Sequence, residues 1–500
     1  MQRGAGVGRG RRAAVAGVLG VALATGGLTS GTDRAFAHPI PEAGQSQSGA
    51  GANPKGPTGH QPPSAAAPPA APRAFATGGP VLAGPVDGAG SMPTTAGLQR
   101  DLAQVLQDKA LGEMNFAIAD GHTGQLLYGS GENAPATPAS TTKLLTAVAA
   151  LALIPADARI STKVVKGGAP GEITLVGGGD PTVTGLPLDQ IRVGGMPPDA
   201  ESAPASLAEL ARRTATALKA AGTTTVKLGY DTSLYSGPLL HKQHDAMNIA
   251  AVTPLMVDEG RIDPKSPDEA PARVFDPAEQ AADAFADLLR AQGITVDGKA
   301  GPGSAAAGAQ QVAAVESPTV PRLVERMLTT SDNTLAEAIA RQAAIAAHQP
   351  ASFDGAVAAV TGTVQKLGVP MTGVVLNDGS GLHTGNLISP LVLAKVLGLA
   401  ASPEHPELRP VLTGLPIAGF TGTLLTRFGA ASGAQSAAGI VRAKTGTLAG
   451  SGVYTLAGTT VDADGRVLVF AFMSKTPADG FATRSATDRI VARLAACGCH

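Results

Sequence analysis

Ser140 and Lys143 lie three positions apart in Ser140-Thr141-Thr142-Lys143, a spacing that on a helix brings a hydroxyl and an amine onto one face. A serine hydroxyl is a weak nucleophile at neutral pH and needs a base within hydrogen-bond reach. A lysine serves as that base only where burial or a neighbouring cation lowers its pKa. Lys444, in Lys444-Thr445-Gly446, is available as the cation. A third string, Ser331-Asp332-Asn333, adds a hydroxyl that can relay a proton between the two lysines and a leaving amine, and an amide that can donate to a substrate. Thr445 and Thr447 offer hydroxyls to a substrate carboxylate, and the backbone N–H groups of Ser140 and Thr447 can face an oxyanion. The three strings occur once each, in this order. Together they describe one acylation site, with Ser140, Lys143, Ser331 and Lys444 as catalytic candidates and Asn333, Thr445, Gly446 and Thr447 as substrate-binding candidates.

Those residues need rigid elements to hold them. Residues 140–153 contain good helix formers, neither Pro nor Gly, and an apolar set of Leu144, Leu145, Val148, Leu151 and Ala152. Pro138 and the Ser-Thr-Thr run stand where that helix begins, which places Ser140 near the positive end of the helix dipole. Lys444 falls in strand-like sequence, 440–444, followed by a second strand over 453–461, as an edge strand facing the helix would. Leu98, Leu102, Val105 and Leu106 mark an opening helix, and a hairpin over 115–119 and 125–128 turns at Gly121-His-Thr-Gly124. A helix carrying Leu323, Val324, Met327 and Leu328 leads into Ser331, and helices over 335–347, 353–367 and 390–400 follow. Strands 453–461 and 466–474 form a hairpin on Asp462-Ala-Asp-Gly465 before a last helix over 484–496. Between 160 and 309 the pattern changes to short strands with two amphipathic helices, 207–221 and 277–292, ended by Gly222 and Gly293. This stretch reads as an insertion between two halves of an α+β domain.

The ordered trio resembles the signature of penicillin-binding proteins and class A β-lactamases. Longer segments narrow the likeness: Pro138-Ala-Ser-Thr-Thr-Lys143, Leu175-Val-Gly-Gly-Gly-Asp-Pro-Thr182, Tyr230-Asp-Thr-Ser-Leu-Tyr-Ser-Gly-Pro238 and Leu255-Met-Val-Asp-Glu-Gly-Arg261. Ser331-Asp-Asn-Thr-Leu-Ala-Glu337, Asp378-Gly-Ser-Gly-Leu382, Gly422-Thr-Leu424 and Arg442-Ala-Lys-Thr-Gly-Thr-Leu448 continue it. With these the chain resembles the D-alanyl-D-alanine carboxypeptidase/endopeptidase family, the low-molecular-mass class C penicillin-binding proteins (peptidase family S13). The resemblance implies a penicillin-binding-protein/serine β-lactamase-like transpeptidase domain, an antiparallel sheet flanked by helices, made of 98–160 and 310–500. A smaller α/β-type domain, 161–309, is inserted in it. It implies a serine D-Ala-D-Ala carboxypeptidase or endopeptidase that cleaves peptidoglycan stem peptides through an acyl-enzyme on Ser140, is acylated by β-lactams, and needs no cofactor or metal. Two departures touch substrate contacts: Thr421 precedes Gly422 where the family usually has Asp, and His383-Thr384 follow Leu382 where Ser-Arg is commoner. Two other readings share the motifs. A serine β-lactamase needs a Glu-bearing loop to activate water, and the class A interval between the first two motifs is much shorter. A catalytically inactive wall-binding module has no physical need for Ser140, Lys143, Ser331 and Lys444 together.

Composition sets outer bounds. The 500-residue chain is 44% apolar with a net charge of −1, which argues against electrostatic binding to nucleic acid. Residues 1–37 have the form of a signal peptide: basic Arg3, Arg9, Arg11 and Arg12, a short apolar core over 13–28, and Ala35-Phe-Ala37 as a cleavage site. Arg11-Arg12 hints at twin-arginine export, and an uncleaved anchor is the alternative. The expected location is therefore extracytoplasmic, in the cell envelope, with room for association with the wall or the membrane surface. Residues 38–97, rich in Ala, Pro, Gly and Ser, read as a disordered spacer. Cys497 and Cys499 are the two cysteines, expected as a tail disulfide or as thiols without catalytic use. His241 and His244 beside Asp245 have metal-ligand flavour but are expected to be loop histidines. Gly177-Gly-Gly-Asp180 is expected to be a tight turn rather than a phosphate loop.

Overall fold

The computed structural model describes residues 90–193, 195–244, 247–266, 271–477 and 479–500. The expected signal peptide, 1–37, and the expected spacer as far as residue 89 lie outside the described residues, as does Asp245. In chain order the strands are β1 (Glu113–Asp120), β2 (Leu126–Ser130), β3 (Arg159–Lys166), β4 (Glu172–Val176), β5 (Thr225–Asp231) and β6 (Thr295–Val296). β7 (Gly301–Gly303), β8 (Gln311–Thr319), β9 (Arg442–Leu448), β10 (Val453–Val461) and β11 (Val467–Lys475) complete them. The helices are α1 (Thr95–Leu102), α2 (Lys143–Leu153), α3 (Leu207–Ala220), α4 (Pro277–Ala291) and α5 (Val320–Thr330). They continue with α6 (Asn333–Ala346), α7 (Phe353–Lys366), α8 (Pro390–Ala401), α9 (Arg409–Thr413) and α10 (Gly480–Ala495).

The first sheet is antiparallel with order β2-β1-β11-β10-β9, so β9 is an edge strand. Its strands alternate by size as well as by polarity. Phe116, Ile118, Leu456, Leu468, Phe470 and Phe472 face one way and pack with α1 and α10, whereas Ala117, Ala119, Ala457 and Ala471 face the other. Small side chains on that second face let α8 lie close to the sheet, and α2 packs behind it on α8. Every residue from Lys143 to Leu151 is buried, because α2 packs against α5, α6, α7 and α8 at once. The second sheet has order β6-β5-β4-β3-β8, with β7 on β5, and mixes antiparallel pairs (β3 with β4 and β8) with parallel ones around β5. α3 and α4 cover it in a separate core of Leu210, Leu228, Phe285 and Leu289. The architecture is α+β.

Local chemistry explains where elements depart from their expected bounds. The helix expected from residue 140 starts as a 3-10 turn, Ala139–Thr142, before α2 begins at Lys143. The hydroxyls of Thr141 and Thr142 donate back to the carbonyls of Pro138 and Ala139, at 2.7 and 2.9 Å, and tighten that turn. The last helix starts at Gly480 rather than 484, because Asp479 caps it by accepting from Ala482 N at 3.1 Å. The opening helix begins at Thr95, inside the stretch expected to be spacer, where Thr94 accepts from Gly97 N at 3.0 Å.

Two junctions place the residues expected to react. Between α5 and α6, Ser331 adopts a left-handed conformation (φ 59°, ψ 28°) that ends α5. Asp332 then caps α6 by accepting from Leu335 N at 2.7 Å, and Asn333 is the first residue of that helix. At the other junction, β9 runs against the Ser140 turn. A Cβ at Gly446 would lie 2.1 Å from Thr455 Oγ1 and 2.8 Å from Pro138 O, so glycine is what permits the approach.

Replacing Gly446 by Ala should therefore cost about 1–3 kcal/mol through overpacking, read as a lower denaturation midpoint; an unchanged midpoint would contradict the close approach. Asp332→Ala should lose about 1 kcal/mol of cap energy while Asp332→Asn, which can still accept, loses little. Equal midpoints for the two variants would remove the capping role.

Candidate active site

Lys143 is fully buried, yet its amine touches three oxygens. Nζ lies 3.0 Å from Ser140 Oγ, 2.7 Å from Asn333 Oδ1 and 2.7 Å from Ser380 O. Burial lowers its pKa to about 8, against the opposing pull of Asp378, Asp332 and Glu337. A neutral amine has two N–H groups and one lone pair. The amide oxygen of Asn333 and the carbonyl of Ser380 accept only, so they take the two hydrogens. The lone pair is left for the Ser140 hydroxyl, the orientation a general base requires.

The second lysine meets the second serine. Lys444, also fully buried, donates to Ser331 Oγ at 2.8 Å and to Thr445 O at 2.9 Å. Ser331 and Asn333 are two residues apart, so the α5–α6 junction presents one side chain to each lysine. Asn333 is oriented by its other end, where Nδ2 donates to Asn248 O at 3.0 Å. Along β9, Lys444 and Gly446 are buried while Thr447 is exposed. Thr445 Oγ1 donates to Thr423 Oγ1 at 2.8 Å. Thr423, Thr445 and Thr447, with Arg427 and Phe481, line a cavity of about 560 Å³ on the outer side of β9. All eight residues expected from the sequence thus lie on three adjoining pieces: the Ser140 turn, the α5–α6 junction and β9.

A second layer went unread in the sequence. Gly379 N and Ser380 N both donate to Glu337 Oε1, at 3.0 and 2.8 Å, and Asp378 Oδ2 lies 2.7 Å from His244 Nε2. His244, expected to be an ordinary loop histidine, is buried, and its ring lies 5.2 Å from that of His241, which is 4.8 Å from His383. Burial works to raise the pKa of Asp378, but the contacts with His244, Asn386 and Gly381 together outweigh it and hold the carboxyl below its usual range. Burial and the nearby Asp378 raise that of Glu337. Glu337 and Asp378 stand inside segments matched by resemblance alone, and their sequence signal was a carboxylate at one end of each motif. Asp332 is raised to about 6 by burial and by the neighbouring Glu259.

Among the described residues two groups have the residue types of a metal site, His244 with Glu337 and Asp378, and Asp101 with Cys497 and Cys499. In the first, Asp378 accepts four hydrogen bonds and Glu337 Oε1 two, so the carboxylates already serve N–H groups. In the second, the cysteines are joined as a disulfide and offer no thiolate.

The model of the D-Ala-D-Ala carboxypeptidase 3 (S13) family matches residues 98–271 and 263–497. "Carboxypeptidase Rv3627c" of Mycobacterium tuberculosis is 37% identical over 434 residues, covering 83% of this chain and 87% of the relative. "Carboxypeptidase DacB" of Mycolicibacterium smegmatis is 36% identical over 442 residues, covering 87% and 91%. Among solved structures, penicillin binding protein 4 (dacB) from Haemophilus influenzae superposes with a TM-score of 0.61 at 21% identity, over 81% of this chain and 98% of that one. The fold is that of this penicillin-binding protein, and the chain belongs to the D-Ala-D-Ala carboxypeptidase 3 (S13) family.

Proposed function

We propose that this serine D-Ala-D-Ala carboxypeptidase acts outside the cytoplasm on peptidoglycan stem peptides, as carboxypeptidase or endopeptidase, with Ser140 as nucleophile and Lys143 as its base. The observation that carries this reading is the buried amine of Lys143, 3.0 Å from Ser140 Oγ and with a pKa that burial lowers to about 8. Ser140 Oγ attacks the carbonyl carbon of the penultimate D-Ala while Lys143 takes its proton. The oxyanion that forms faces the N–H groups of Ser140 and Thr447. As the tetrahedral intermediate collapses, the C–N bond breaks and the leaving amine receives a proton through Ser331, whose hydroxyl Lys444 holds at 2.8 Å. Water then hydrolyses the ester on Ser140. β-Lactams acylate the same hydroxyl; a solved form of the Haemophilus influenzae protein carries one.

The remaining assignments belong to the same reading. Asn333 steadies Lys143 and the substrate amide, and Gly446 lets β9 reach the Ser140 turn. Thr445 and Thr447 offer hydroxyls to the terminal carboxylate. The catalytic unit is expected over 98–160 and 310–500 with 161–309 inserted, although β3 and β8 carry the second sheet out to residues 159 and 319, and 1–37 is a cleaved export signal. No helix among the described residues is long and apolar enough to cross a membrane.

Ser140→Ala should abolish labelling by a fluorescent penicillin without loss of fold. Acylation by the wild type should rise with pH through about 8 as Lys143 loses its proton. Lys143→Arg, which keeps the charge but gives up no proton, should be nearly as slow as Lys143→Ala. Labelling of the Ser140 variant, or near-normal acylation by the Arg variant, would refute the assignment. A charge-assisted bond is worth about 1.5–3 kcal/mol, so amidating the terminal carboxylate should cost about ten- to a hundredfold in kcat/KM. Thr447→Val should narrow that gap; equal turnover of acid and amide by the wild type would remove the carboxylate role.

A further inference from the structure

We propose that His244 and Asp378 act as a positioning pair for the base, by fixing the peptide between Ser380 and Gly381 whose carbonyl aims Lys143 at Ser140. The inference rests on the reading of Lys143 as base, and extends it to residues that touch neither Ser140 nor its lysine.

One peptide unit joins the two ends. Its carbonyl, Ser380 O, accepts from Lys143 Nζ at 2.7 Å, and its N–H, on Gly381, donates to Asp378 Oδ1 at 2.9 Å. A planar peptide held at its N–H cannot swing its C=O independently, so Asp378 sets the direction of the acceptor that Lys143 sees. Asp378 is in turn held on all sides. Asn386 Nδ2 donates to Oδ1 at 2.7 Å, and His383 N and His244 Nε2 each meet Oδ2 at 2.7 Å. The side chains of His244 and Asp378 have no exposed surface. Because Nε2 faces a carboxylate oxygen that can only accept, the ring proton sits on Nε2. Nδ1 is buried with no partner among the described residues, so the contact with Asp378 is the hydrogen bond this ring makes.

The same loop touches the nucleophile. Gly381 (φ +88°) passes so close to the Ser140 turn that a Cβ there would lie 1.9 Å from Ala139 O. A shift of the loop therefore disturbs both Ser140 and the lysine that serves it. Asp378 also acts on Lys143 through charge. The carboxylates that favour its protonated form are Asp378 on this loop, Asp332 at the α5–α6 junction and Glu337 on α6, while Lys444 approaches the α5–α6 junction from β9. Among the described residues, the charged and titratable groups about the pair are Lys143, His241, Lys242, His383, Glu337 and Arg341, the last 3.6 Å from Glu337. Removing the charge of Asp378 should make Lys143 easier to deprotonate while loosening its aim, two effects of opposite sign that a loss of packing alone does not produce.

The test is the rate of acylation by a fluorescent penicillin against pH, on the full secreted chain dialysed against a chelator, with thermal midpoints alongside. Asp378→Asn should acylate about tenfold or more slowly at pH 9, where Lys143 is neutral in both proteins, and its rise should move to lower pH than in the wild type. His244→Phe should be slowed to a similar degree, whereas His244→Gln, which keeps an N–H donor, should recover to within about threefold. Variants that lose only thermal midpoint, with the wild-type rate and inflection kept, would overturn the inference. So would equal damage from Phe and Gln, or a wild type that loses activity on dialysis and regains it with Zn²⁺, which would make His244, Glu337 and Asp378 ligands. If His244→Phe does not fold, the Asp378→Asn profile decides alone. A wild type that shows no penicillin adduct on Ser140 at any pH would instead refute the proposed function itself.

Discussion

An amine with no exposed surface is an expensive thing to fold around, and the helices and loops about α2 are arranged around one. Burying an ammonium costs several kcal/mol unless oxygens replace its water or the proton leaves. Lys143 has both remedies: three oxygens within 3.0 Å and a pKa lowered to about 8. The oxygens come from the turn before α2, from the first residue of α6 and from the loop following Asn377, segments that are distant in sequence. The packing of α2 on α6 and the clamping of that loop by Glu337 and Asp378 are therefore conditions for a lysine at this position, rather than independent features. Burial lowers the pKa of this amine, and the three nearby carboxylates of Asp378, Asp332 and Glu337 oppose that shift.

The second lysine depends on the sheet. Lys444 can sit deep beside Ser331 because β9 pairs with β10 over Arg442 to Leu448 and presses on the Ser140 turn through Gly446. The size alternation of the central strands serves the same end. With Ala117, Ala457 and Ala471 on the helix side, the sheet stands close to α8, and the aromatic bulk goes to the α10 side. β9 is an edge strand whose outer side meets the 416–417 segment only at its start, where Ala443 N donates to Pro416 O at 3.0 Å, and Thr447 further along is exposed.

How much of this the sequence carried depends on the range of the interaction. The Ser140–Lys143 contact is a matter of helical spacing, and the helices after Ser331 announce themselves by periodicity, so both were legible to within a few residues. Asp332 was legible in principle, as an Asp just before a helix, the position whose side chain caps α6. His244, Glu337 and Asp378 were not legible as a unit: 93 residues separate the first two and 41 the last two, and no local pattern encodes their meeting. Asp378-Gly-Ser-Gly-Leu382 shows why. Its Asp and glycines look like a turn, and they do make one, but the turn has its role in presenting a carbonyl to a lysine far away in sequence.

The middle stretch of the chain bears on the site from two sides. Asn248 O orients Asn333, and hence the oxygen that Lys143 meets, at 3.0 Å. On the other side Glu259, fully buried, pairs with Arg326 of α5 and with Arg261 at 2.7 Å, and Arg261 lies 3.7 Å from Asp332. Burial opposes ionisation of Glu259, but Arg326 and then Arg261 outweigh it and keep the carboxylate charged. Asp258 and Glu259 both hold positive φ, at 48° and 57°, a backbone cost that surrounding contacts must offset. Strain at a non-glycine residue whose carboxylate reaches a helix leading into Ser331 has a simple rationale, since it fixes the end of α5 from outside. Within the interval between Ser140 and Ser331, Asn248 and the Glu259–Arg261 pair thus hold the α5–α6 junction from both sides, and losing either contact releases one of them.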